Sequence, residues 1–122
     1  DIELLFTPHL IPMIRGMHST IYGRLRDPGL TSSDCQIILD NFYRNYSNIK
    51  VLPVDIYPST KWVTNTNEIH LSVKVDNRNG RIILLSVIDN LIKGQTGQAI
   101  QNLNLISGLP LNDGLHMVNH YP

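Results

Sequence analysis

An imidazole held in a stiff loop is the first side chain in this sequence that could do chemistry. His9 lies between Pro8 and Pro12. The two prolines restrict the backbone and remove two N–H donors, so the loop is predicted to be extended and rigid. Because an imidazole titrates near neutral pH, His9 is suited to proton transfer. A surface or capping role is the commoner outcome for such a histidine, and residue type alone favours it.

A glycine-rich segment near the other end of the chain is the second candidate site. It contains Lys93, Gly94, Gly97 and Gln98, and it follows residues 82–88, an apolar run typical of a strand buried on both faces. From Gly97 onward the apolar residues take helical spacing. They are Ala99, Ile100, Leu103 and Ile106. The start of such a helix can expose unpaired N–H groups that bind an anion, or the carboxamide or phosphate of a cofactor. An ordinary strand-to-helix turn is the simpler interpretation.

Further polar residues have two possible roles each. Arg15 could bind phosphate or carboxylate through its guanidinium, or form a salt bridge at a strand end. Lys61 and Trp62 could line a substrate cleft, although a half-buried loop anchor is slightly favoured. His116 and His120 have i,i+4 spacing, but the surrounding sequence is not helical and lacks further ligands, so no metal site is predicted.

Composition excludes several classes of function. The chain has 122 residues, about one domain's worth, with 10 Lys and Arg against 10 Asp and Glu. This balance leaves no basic surface for nucleic acid or for a membrane, and no apolar run approaches the ~20 residues needed to span a bilayer. The single cysteine rules out an internal disulfide. Residues 1–6 are strand-like and lack an initiator Met, which suggests a processed chain or part of a longer one.

The elements that must position these residues are predicted to form an α+β layer, in the order strand, helix, strand, strand, strand, helix. Residues 15–25 alternate as a strand. Thr31 or Ser32 can cap a helix whose apolar stripe includes Cys35, so Cys35 is expected in the core rather than as a reactive thiol. Residues 51–56 are expected to be extended but irregular, because Pro53 interrupts them.

A hairpin is predicted in the second half of the chain. Residues 69–76 alternate as a half-solvated antiparallel strand, residues 77–80 give a turn, and residues 81–88 return. His18 and His70 lie on polar strand faces and are expected to be solvated.

Two long segments together resemble one family. Residues 6–16 read Phe-Thr-Pro-His-Leu-Ile-Pro-Met-Ile-Arg-Gly, and residues 88–104 read Ile-Asp-Asn-Leu-Ile-Lys-Gly-Gln-Thr-Gly-Gln-Ala-Ile-Gln-Asn-Leu-Asn. Both resemble the C-terminal part of N-acetyl-gamma-glutamyl-phosphate reductases, the arginine-biosynthesis branch of the semialdehyde dehydrogenase superfamily. Shorter segments follow in the family's order, so the resemblance covers nearly the whole chain. They are residues 58–63, 66–67, 108–110 and 114–115.

The resemblance implies that residues 1–122 are a single C-terminal catalytic and dimerisation domain of a longer enzyme. The implied fold is a mixed, largely antiparallel sheet with helices packed on it, like the C-terminal domain of glyceraldehyde-3-phosphate dehydrogenase. The N-terminal NADP-binding domain is not in this sequence. The implied assembly is a homo-oligomer, either a dimer or a tetramer. The implied location is the cytoplasm, or the plastid stroma in a plant or alga.

The resemblance also implies a reaction. NADPH reduces N-acetylglutamyl 5-phosphate to N-acetylglutamate 5-semialdehyde through a cysteine thioester, and the family's acid/base histidine matches His9. The segment with Lys93, Gly94, Gly97 and Gln98 matches the one that approaches the cofactor. Arg15 and Lys61 are the candidates for substrate binding.

Departures from the family limit what this chain can do alone. The family's nucleophilic cysteine lies in an Asn-Pro-Gly-Cys context that is absent here, and Cys35 lies in a different motif, so the fragment alone is expected to be inactive. Asn65 stands where relatives commonly have glycine, and Gln95 and Thr96 stand where small residues are usual. The alternatives are a related acyl-phosphate reductase of lysine-type biosynthesis, the poorly fitting aspartyl phosphate enzyme, and a non-catalytic oligomerisation module.

Overall fold

The computed structural model describes residues 3–116 and contains one four-stranded sheet with helices. The strands are β1 (Met17–Arg24), β2 (Ile49–Val51), β3 (Ile69–Asp76) and β4 (Arg81–Ile88). The helices are α1 (Ser32–Tyr43), α2 (Thr60–Val63) and α3 (Gly97–Ile106), and a π-helical segment (Ile92–Thr96) runs directly into α3. The predicted order of elements is therefore correct apart from α2 and the π-helical segment.

The sheet has the order β1-β4-β3-β2. β4 is antiparallel to both β1 and β3, whereas β2 runs parallel to β3. The turn at residues 77–80 joins β3 and β4 as predicted, and Asp76 lies opposite Arg81. The prediction of a mixed, largely antiparallel sheet is thus confirmed. At the other end of the sheet, Met17 and Ile69 both lie opposite Ile88, so the start of β1, the start of β3 and the end of β4 meet there.

Helix α1 covers one part of the sheet. Thr31 caps it: the Thr31 hydroxyl accepts from the Asp34 N–H at 3.2 Å, and the Asp34 carboxylate accepts from the Thr31 N–H at 2.9 Å. Cys35 packs in a core with Val73 and Val75 and is 5% exposed, so its predicted structural role is confirmed. Burial first, and then the Asp34 carboxylate, raise the pKa of the Cys35 thiol, as is typical of a buried structural cysteine.

One sequence-based expectation about extended segments was wrong, and another, an edge or irregular strand over residues 51–56, holds only in part. Residues 3–6 are not part of a strand, and no helix or strand occurs in residues 3–16. Leu4 and Leu5 are 80% and 91% exposed, so no core neighbour holds this segment to the sheet. In residues 51–56 only Val51 belongs to a strand. Pro53 has no N–H to continue the ladder, and the chain turns there, with the Ile56 N–H donating to the Pro53 carbonyl.

The first half of the polar face of β3 is buried rather than solvated, whereas Lys74 farther along is exposed. His70 is 6% exposed and Ser72 is 3% exposed. The Trp62 ring of α2 lies 6.2 Å from the His70 ring, and His70 Nε2 lies 3.0 Å from a Glu68 carboxylate oxygen. The expectation of a solvated His70 was therefore wrong, because α2 packs beside it. His18 on β1 is exposed, as predicted.

Helix α3 begins at Gly97 as predicted, but the side that faces the rest of the chain is the polar one and not the predicted apolar one. The side facing the rest of the chain carries Gln101 and Asn104, which are 2% and 5% exposed. The predicted apolar stripe faces outward, with Leu103 60% exposed and Ile106 85% exposed. The Asn104 side-chain amide donates to the carbonyls of Leu111 and Asp113 at 3.1 and 3.0 Å. Carboxamide hydrogen bonds, rather than apolar packing, therefore hold this helix against its neighbours in the described residues.

Candidate functional site

A buried carboxylate organises the end of the sheet where β1 begins and β4 ends. Asp89 follows β4 directly and is 0% exposed. Its Oδ2 accepts from Arg15 Nη2 at 2.6 Å and from the Asn65 N–H at 2.7 Å. Its Oδ1 accepts from the N–H groups of Leu91 and Ile92 at 2.8 and 3.0 Å. Asp89 therefore joins the entry to β1, the loop after α2 and the π-helical segment at one point.

Several hydrogen bonds keep Asp89 ionised. Burial raises the pKa of the carboxyl group, but the backbone N–H groups of Asn65, Ile92 and Leu91 and the guanidinium of Arg15 outweigh it. The net pKa lies below the ordinary value for aspartate. These donors stabilise the charged form directly. Asp89 therefore carries a negative charge at neutral pH.

The Asn65 backbone adopts a conformation that glycine also favours. Asn65 has a φ of 60°, in the left-handed region that glycine adopts most readily and asparagine tolerates. This conformation is accompanied by the hydrogen bond from the Asn65 N–H to Asp89. The departure noted in the sequence therefore leaves the backbone geometry of a glycine position in place.

The entry to β1 is fixed by the residue next to Asp89. The Asn90 carboxamide oxygen accepts from the Gly16 N–H at 2.7 Å. Gly16 has a φ of 104°, and a Cβ there would lie 2.7 Å from the Thr60 Cβ. Only glycine fits this combination of backbone angle and close approach. Residues 15 and 16 are thereby held against the start of α2, which carries Lys61.

Arg15 forms the salt bridge that was one of its two predicted roles. Its Nη2 lies 2.6 Å from Asp89 Oδ2, and its side chain is 28% exposed. Its Nε is buried and has no hydrogen-bond partner among the described residues. The salt bridge occupies one edge of the guanidinium only, so substrate binding by Arg15 stays a prediction.

His9 lies in the irregular segment before β1 and is exposed. Its Nδ1 lies 3.2 Å from the Thr7 carbonyl oxygen. Because a carbonyl can only accept, a hydrogen bond at this contact needs a proton on Nδ1. No hydrogen bond within the described residues joins His9 to the Asp89 cluster, so its role as an acid or base stays a prediction.

Three N–H groups of the glycine-rich segment are already hydrogen-bonded, which contradicts the interpretation as an open helix start and agrees with the simpler interpretation as a turn. The N–H of Gly94 donates to the Asp89 carbonyl at 2.9 Å and that of Thr96 donates to the Leu91 carbonyl at 3.0 Å. The N–H of Gly97 donates to the Ile92 carbonyl. The π-helical segment therefore continues into α3 without an open helix start. The anion at its N-terminal end is the protein's own carboxylate, Asp89.

The two glycines of this segment lie close to other residues on the side where a Cβ would be. A Cβ on Gly97 would overlap Asn67 Oδ1 and lie 2.9 Å from the Ile92 carbonyl oxygen. A Cβ on Gly94 would meet the Asp89 carbonyl oxygen at 3.4 Å and Met17 Sδ at 3.5 Å, which are ordinary contacts. Gly97 is therefore required by the fold, while Gly94 leaves more room. Cofactor binding by either glycine stays a prediction.

Lys93 is the cation of the segment. Its Nζ donates to Gln98 Oε1 at 2.8 Å and to Gln101 Oε1 at 2.6 Å. Partial burial lowers the pKa of Lys93 below its ordinary value. Both acceptors are neutral carboxamides, so the ammonium is positioned but its charge is not balanced by them.

A small polar cleft lies near the C-terminal side of these contacts. It has a volume of about 100 Å³. It is lined by Ser47, Asn48, Asn67, Glu68, Asn112, Leu115 and His116. Both side-chain polar atoms of Asn67 and the Oδ1 of Asn48 are buried without a partner in the described part of the chain. Such atoms are ordinarily paired with water when they lie beside a cleft.

Residues 3–116 contain no group of three or more His, Cys, Asp or Glu side chains that could hold a metal ion. His120 lies outside the described residues, so its predicted relation to His116 has no structural counterpart here. In the same part of the chain, none of the helices is long and apolar enough to cross a membrane.

Comparison with known proteins identifies the family of this chain. The family described as "semialdehyde dehydrogenase, dimerisation domain" matches residues 1–90, which include β1–β4 and Asp89. The chain belongs to this family. The matched region ends just before the glycine-rich segment.

Curated relatives of this semialdehyde dehydrogenase domain carry a more specific name. A protein named N-acetyl-gamma-glutamyl-phosphate reductase from Prochlorococcus marinus (strain MIT 9515) is 93% identical over 122 residues, all of this chain and 35% of the relative. Another of that name, from Prochlorococcus marinus (strain NATL1A), is 59% identical over all of this chain and 34% of the relative. The chain thus spans about a third of the length of these proteins.

Solved structures support the fold of the dimerisation domain. Aspartate semialdehyde dehydrogenase II from Vibrio cholerae matches 80% of this chain and 29% of that protein, with a TM-score of 0.65 and 18% sequence identity. The same enzyme complexed with ASA matches with a TM-score of 0.63. At this identity the likeness concerns the fold alone, and it agrees with the predicted fold class.

Sequence reasoning missed the residues that hold the candidate site together. Asp89 and Asn90 were read only as part of a longer motif, and Gln101 only as a helix residue. Two adjacent polar side chains directly after an apolar strand were the available signal, because the end of a buried strand is where such groups find backbone donors. Nothing in the sequence indicated that Gln101 would face inward.

Proposed function

We propose that residues 1–122 are the C-terminal catalytic and dimerisation domain of an N-acetyl-gamma-glutamyl-phosphate reductase. The complete enzyme would convert N-acetylglutamyl 5-phosphate and NADPH into N-acetylglutamate 5-semialdehyde, in arginine biosynthesis. The observation that carries the proposal is the 93% identity to a protein of that name along the whole of this chain. The relatives' additional length leaves room for an N-terminal NADP-binding domain. The cytoplasm remains the predicted location.

In this proposal His9 moves protons for a nucleophile supplied by another part of the complete protein. Cys35 is buried in the core with a raised pKa and does not serve as that nucleophile. The exposed His9 ring has its Nε2 available as a base when Nδ1 holds the proton toward Thr7. The imidazole would take the proton of the attacking thiol and later return it to the oxyanion left by hydride transfer.

Arg15 and Lys61 are proposed to bind the anionic substrate. Gly16 and Thr60 are in close contact. Arg15, which precedes Gly16, and Lys61, which follows Thr60, therefore lie at the same end of the sheet. The Arg15 guanidinium is oriented by Asp89 and keeps part of its surface exposed. Such a restrained guanidinium binds phosphate or carboxylate with little loss of side-chain freedom.

Lys93, Gly94, Gly97 and Gln98 are proposed to line the cofactor pocket together with the N-terminal domain. When bound, NADPH supplies the hydride. The residues present fit an anionic, amide-bearing cofactor in two respects: the Lys93 charge is not balanced by its neutral acceptors, and the Gln98 side chain is exposed. The backbone N–H groups do not contribute, because the π-helical segment uses them.

A homo-oligomer, a dimer or a tetramer, is also part of the proposal. The chain exposes apolar side chains on both β1 and α1, including Ile21 at 49%, Ile38 at 55% and Phe42 at 70%. Apolar surface of this kind marks protein–protein contacts. Light scattering of the complete protein measures the size of the assembly, and a monomer at micromolar concentration would contradict this part.

The reductase activity is tested by producing the complete protein and following NADPH oxidation with three acyl phosphates. N-acetylglutamyl phosphate is expected to be the preferred substrate over N-acetylaminoadipyl phosphate and aspartyl phosphate. The isolated 122-residue chain is expected to be inactive. A complete protein that reduces none of the three would contradict the proposal and favour a non-catalytic oligomerisation module.

The role of His9 is tested by His9→Ala in the complete protein. Turnover is expected to fall by about 10²-fold or more, the usual loss when an acid or base is removed. Because the ring is exposed, the free energy of unfolding is expected to change by less than about 0.5 kcal/mol. His18→Ala, at another exposed histidine, is the matched control and should leave turnover unchanged. Near-normal turnover in His9→Ala would exclude His9 as the acid/base group.

A further inference from the structure

Lys93 differs from two other lysines of the chain in the chemistry of its partners. Lys50 lies 2.7 Å from a Glu68 carboxylate oxygen, and Lys74 lies 3.5 Å from an Asp55 carboxylate oxygen. Lys93 has no carboxylate partner within residues 3–116, although it is partly buried. A buried ammonium ordinarily acquires an opposite charge. The absence of one among the described residues leaves a positive charge available for an anion.

Three side chains fix the position of Lys93 through a chain of hydrogen bonds. Lys93 Nζ donates to Gln101 Oε1 at 2.6 Å, and Gln101 Nε2 donates to Asn112 Oδ1 at 2.7 Å. Asn112 Nδ2 then donates to Ser47 Oγ at 3.1 Å. The Gln101 carboxamide is 2% exposed and cannot rotate by half a turn without placing donor against donor and acceptor against acceptor. Its oxygen is therefore held toward Lys93.

Neutral acceptors position an ammonium group without cancelling its charge. An ammonium has three N–H donors. Two of them point to Gln98 and Gln101, which leaves one for a ligand. A glutamate at position 101 would have the same shape but would compensate the charge. The amide at this buried position accepts from Lys93 without adding a negative charge, so the ammonium stays uncompensated in the described residues.

We propose that Gln101 is a positioning residue, which holds the uncompensated Lys93 ammonium so that it binds a phosphate group. The inference rests on the proposed reductase function for the source of that phosphate. The two sources are the phosphates of NADPH and the acyl phosphate of the substrate, and both offer the same anionic oxygens. Asn112 takes part by accepting from the Gln101 amide, and Ser47 by accepting from Asn112.

The decisive variant is Gln101→Glu in the complete protein. The change preserves side-chain shape, and the chain of hydrogen bonds can reverse, because the Asn112 amide can turn its Nδ2 toward the new carboxylate while the Ser47 hydroxyl donates instead of accepting. The fold is therefore expected to survive. Gln36→Glu on α1 is the matched control, with the same chemical change at a position outside the chain of hydrogen bonds.

Ligand binding is measured in two arms. The Kd of NADPH is obtained from its fluorescence, and the KM of N-acetylglutamyl phosphate from initial rates. Gln101→Glu is expected to weaken one of them by about 10-fold or more, the scale of one lost charge-assisted hydrogen bond, with kcat nearly unchanged. Weaker NADPH binding assigns the phosphate to the cofactor, and a higher KM assigns it to the substrate. Both constants within twofold of the parent protein would overturn the proposal.

A third readout does not depend on activity. Nitrogen-15 NMR of the lysine side chains, with the Lys93 signal assigned through Lys93→Arg, follows Lys93 during titration with inorganic phosphate. The Lys93 signal is expected to shift with phosphate in the parent protein and in Gln36→Glu, but not in Gln101→Glu. If the complete protein reduces no acyl phosphate but Lys93 still responds in this way, the proposed function fails and the phosphate site stands. A Lys93 signal that ignores phosphate in the parent protein overturns the site itself.

Discussion

Helices α1 and α3 pack against the rest of the chain through different surfaces, which are apolar in α1 and polar in α3. α1 places Cys35 in an apolar core with Val73 and Val75. α3 buries Gln101 and Asn104 and turns its leucines and isoleucines outward. Apolar contacts are non-directional and tolerate small shifts, whereas buried amides require each donor to meet its acceptor. The surroundings of α1 therefore behave as scaffold, and those of α3 fix the positions of particular polar groups.

The carboxylates at the N-terminal ends of the two helical regions differ in the same way. Asp34 caps α1 locally, through Thr31, at an exposed position. Asp89 is fully buried and accepts from donors as far apart in sequence as Arg15 and Ile92. Loss of the first affects one helix end, while loss of the second disconnects three segments. The following substitutions test whether this difference is real, in order of decreasing effect.

Asp89→Ala is expected to have the largest effect on stability. It leaves the partly buried Arg15 guanidinium and three backbone N–H groups without their acceptor. Removing one partner from a buried ion pair costs about 3–5 kcal/mol of unfolding free energy. Chemical denaturation of the complete protein measures it. A loss below about 1 kcal/mol, the scale of an exposed ion pair, would show that Asp89 is not the central anchor.

The same carboxylate predicts an acid dependence. Because the folded pKa of Asp89 lies below its ordinary value, its stabilising contribution is fully present above the unfolded pKa of about 3.9. It is lost as the pH falls through the folded pKa. The stability difference between the parent protein and Asp89→Asn is therefore expected to shrink below about pH 4. A difference that is constant from pH 7 down to pH 3 would contradict a lowered pKa.

Leu103→Ala tests why α3 exposes its apolar side. If the N-terminal part of the proposed enzyme covers this face, the substitution should destabilise the complete protein by about 2–4 kcal/mol, as at a core leucine. Ile37→Ala on α1, at 54% exposure, is a comparison site outside that face. A change within about 0.5 kcal/mol for Leu103→Ala would mean that the face stays in water.

Gly97→Ala is expected to destabilise by about 1–3 kcal/mol, the usual cost of an overpacked site. Alanine favours helices by itself, so the sign of the effect distinguishes close packing from helix propensity. The added Cβ would overlap Asn67 Oδ1. Combining Gly97→Ala with Asn67→Ala should recover part of the loss in a double-mutant cycle. Strictly additive losses would exclude direct contact between the two positions.

Thr31→Ala should have the smallest effect, about 1 kcal/mol, because it removes one local cap. Thr31→Ser keeps the hydroxyl and is expected to retain most of the stability. A loss from Thr31→Ala as large as that from Asp89→Ala would erase the contrast between the two capping carboxylates.

Much of the fold could be predicted because local patterns determine it. Alternation fixed β1 and β3, the turn at residues 77–80 fixed the hairpin, and the Thr31 cap fixed the start of α1. The errors arose where tertiary contacts decide. The apolar residues 3–6 have no core neighbour in the described chain, and α3 faces inward with its amides because Asn104 satisfies the carbonyls of residues 111 and 113.

The candidate site was predictable in its residue types but not in its connections. The sequence pointed to Arg15 and to the segment around Lys93 because charge and glycine content are visible there. It could not show that carbonyls of the π-helical segment and of Asp89 would take up the N–H groups expected to bind an anion. Hydrogen bonds between residues separated by up to 74 positions leave no periodic trace in a sequence.

The ion pair between Arg15 and Asp89 also bears on the order in which the chain folds. Its two ends are 74 positions apart, whereas β3 and β4 are joined by a four-residue turn. Closing a long loop costs more entropy than closing a short one, so local pairings form before distant ones. The hairpin of β3 and β4 would therefore form early, and the ion pair between Arg15 and Asp89 would form late. During synthesis, the segment with Arg15 leaves the ribosome before Asp89 does, so this ion pair can form only after Asp89 has emerged.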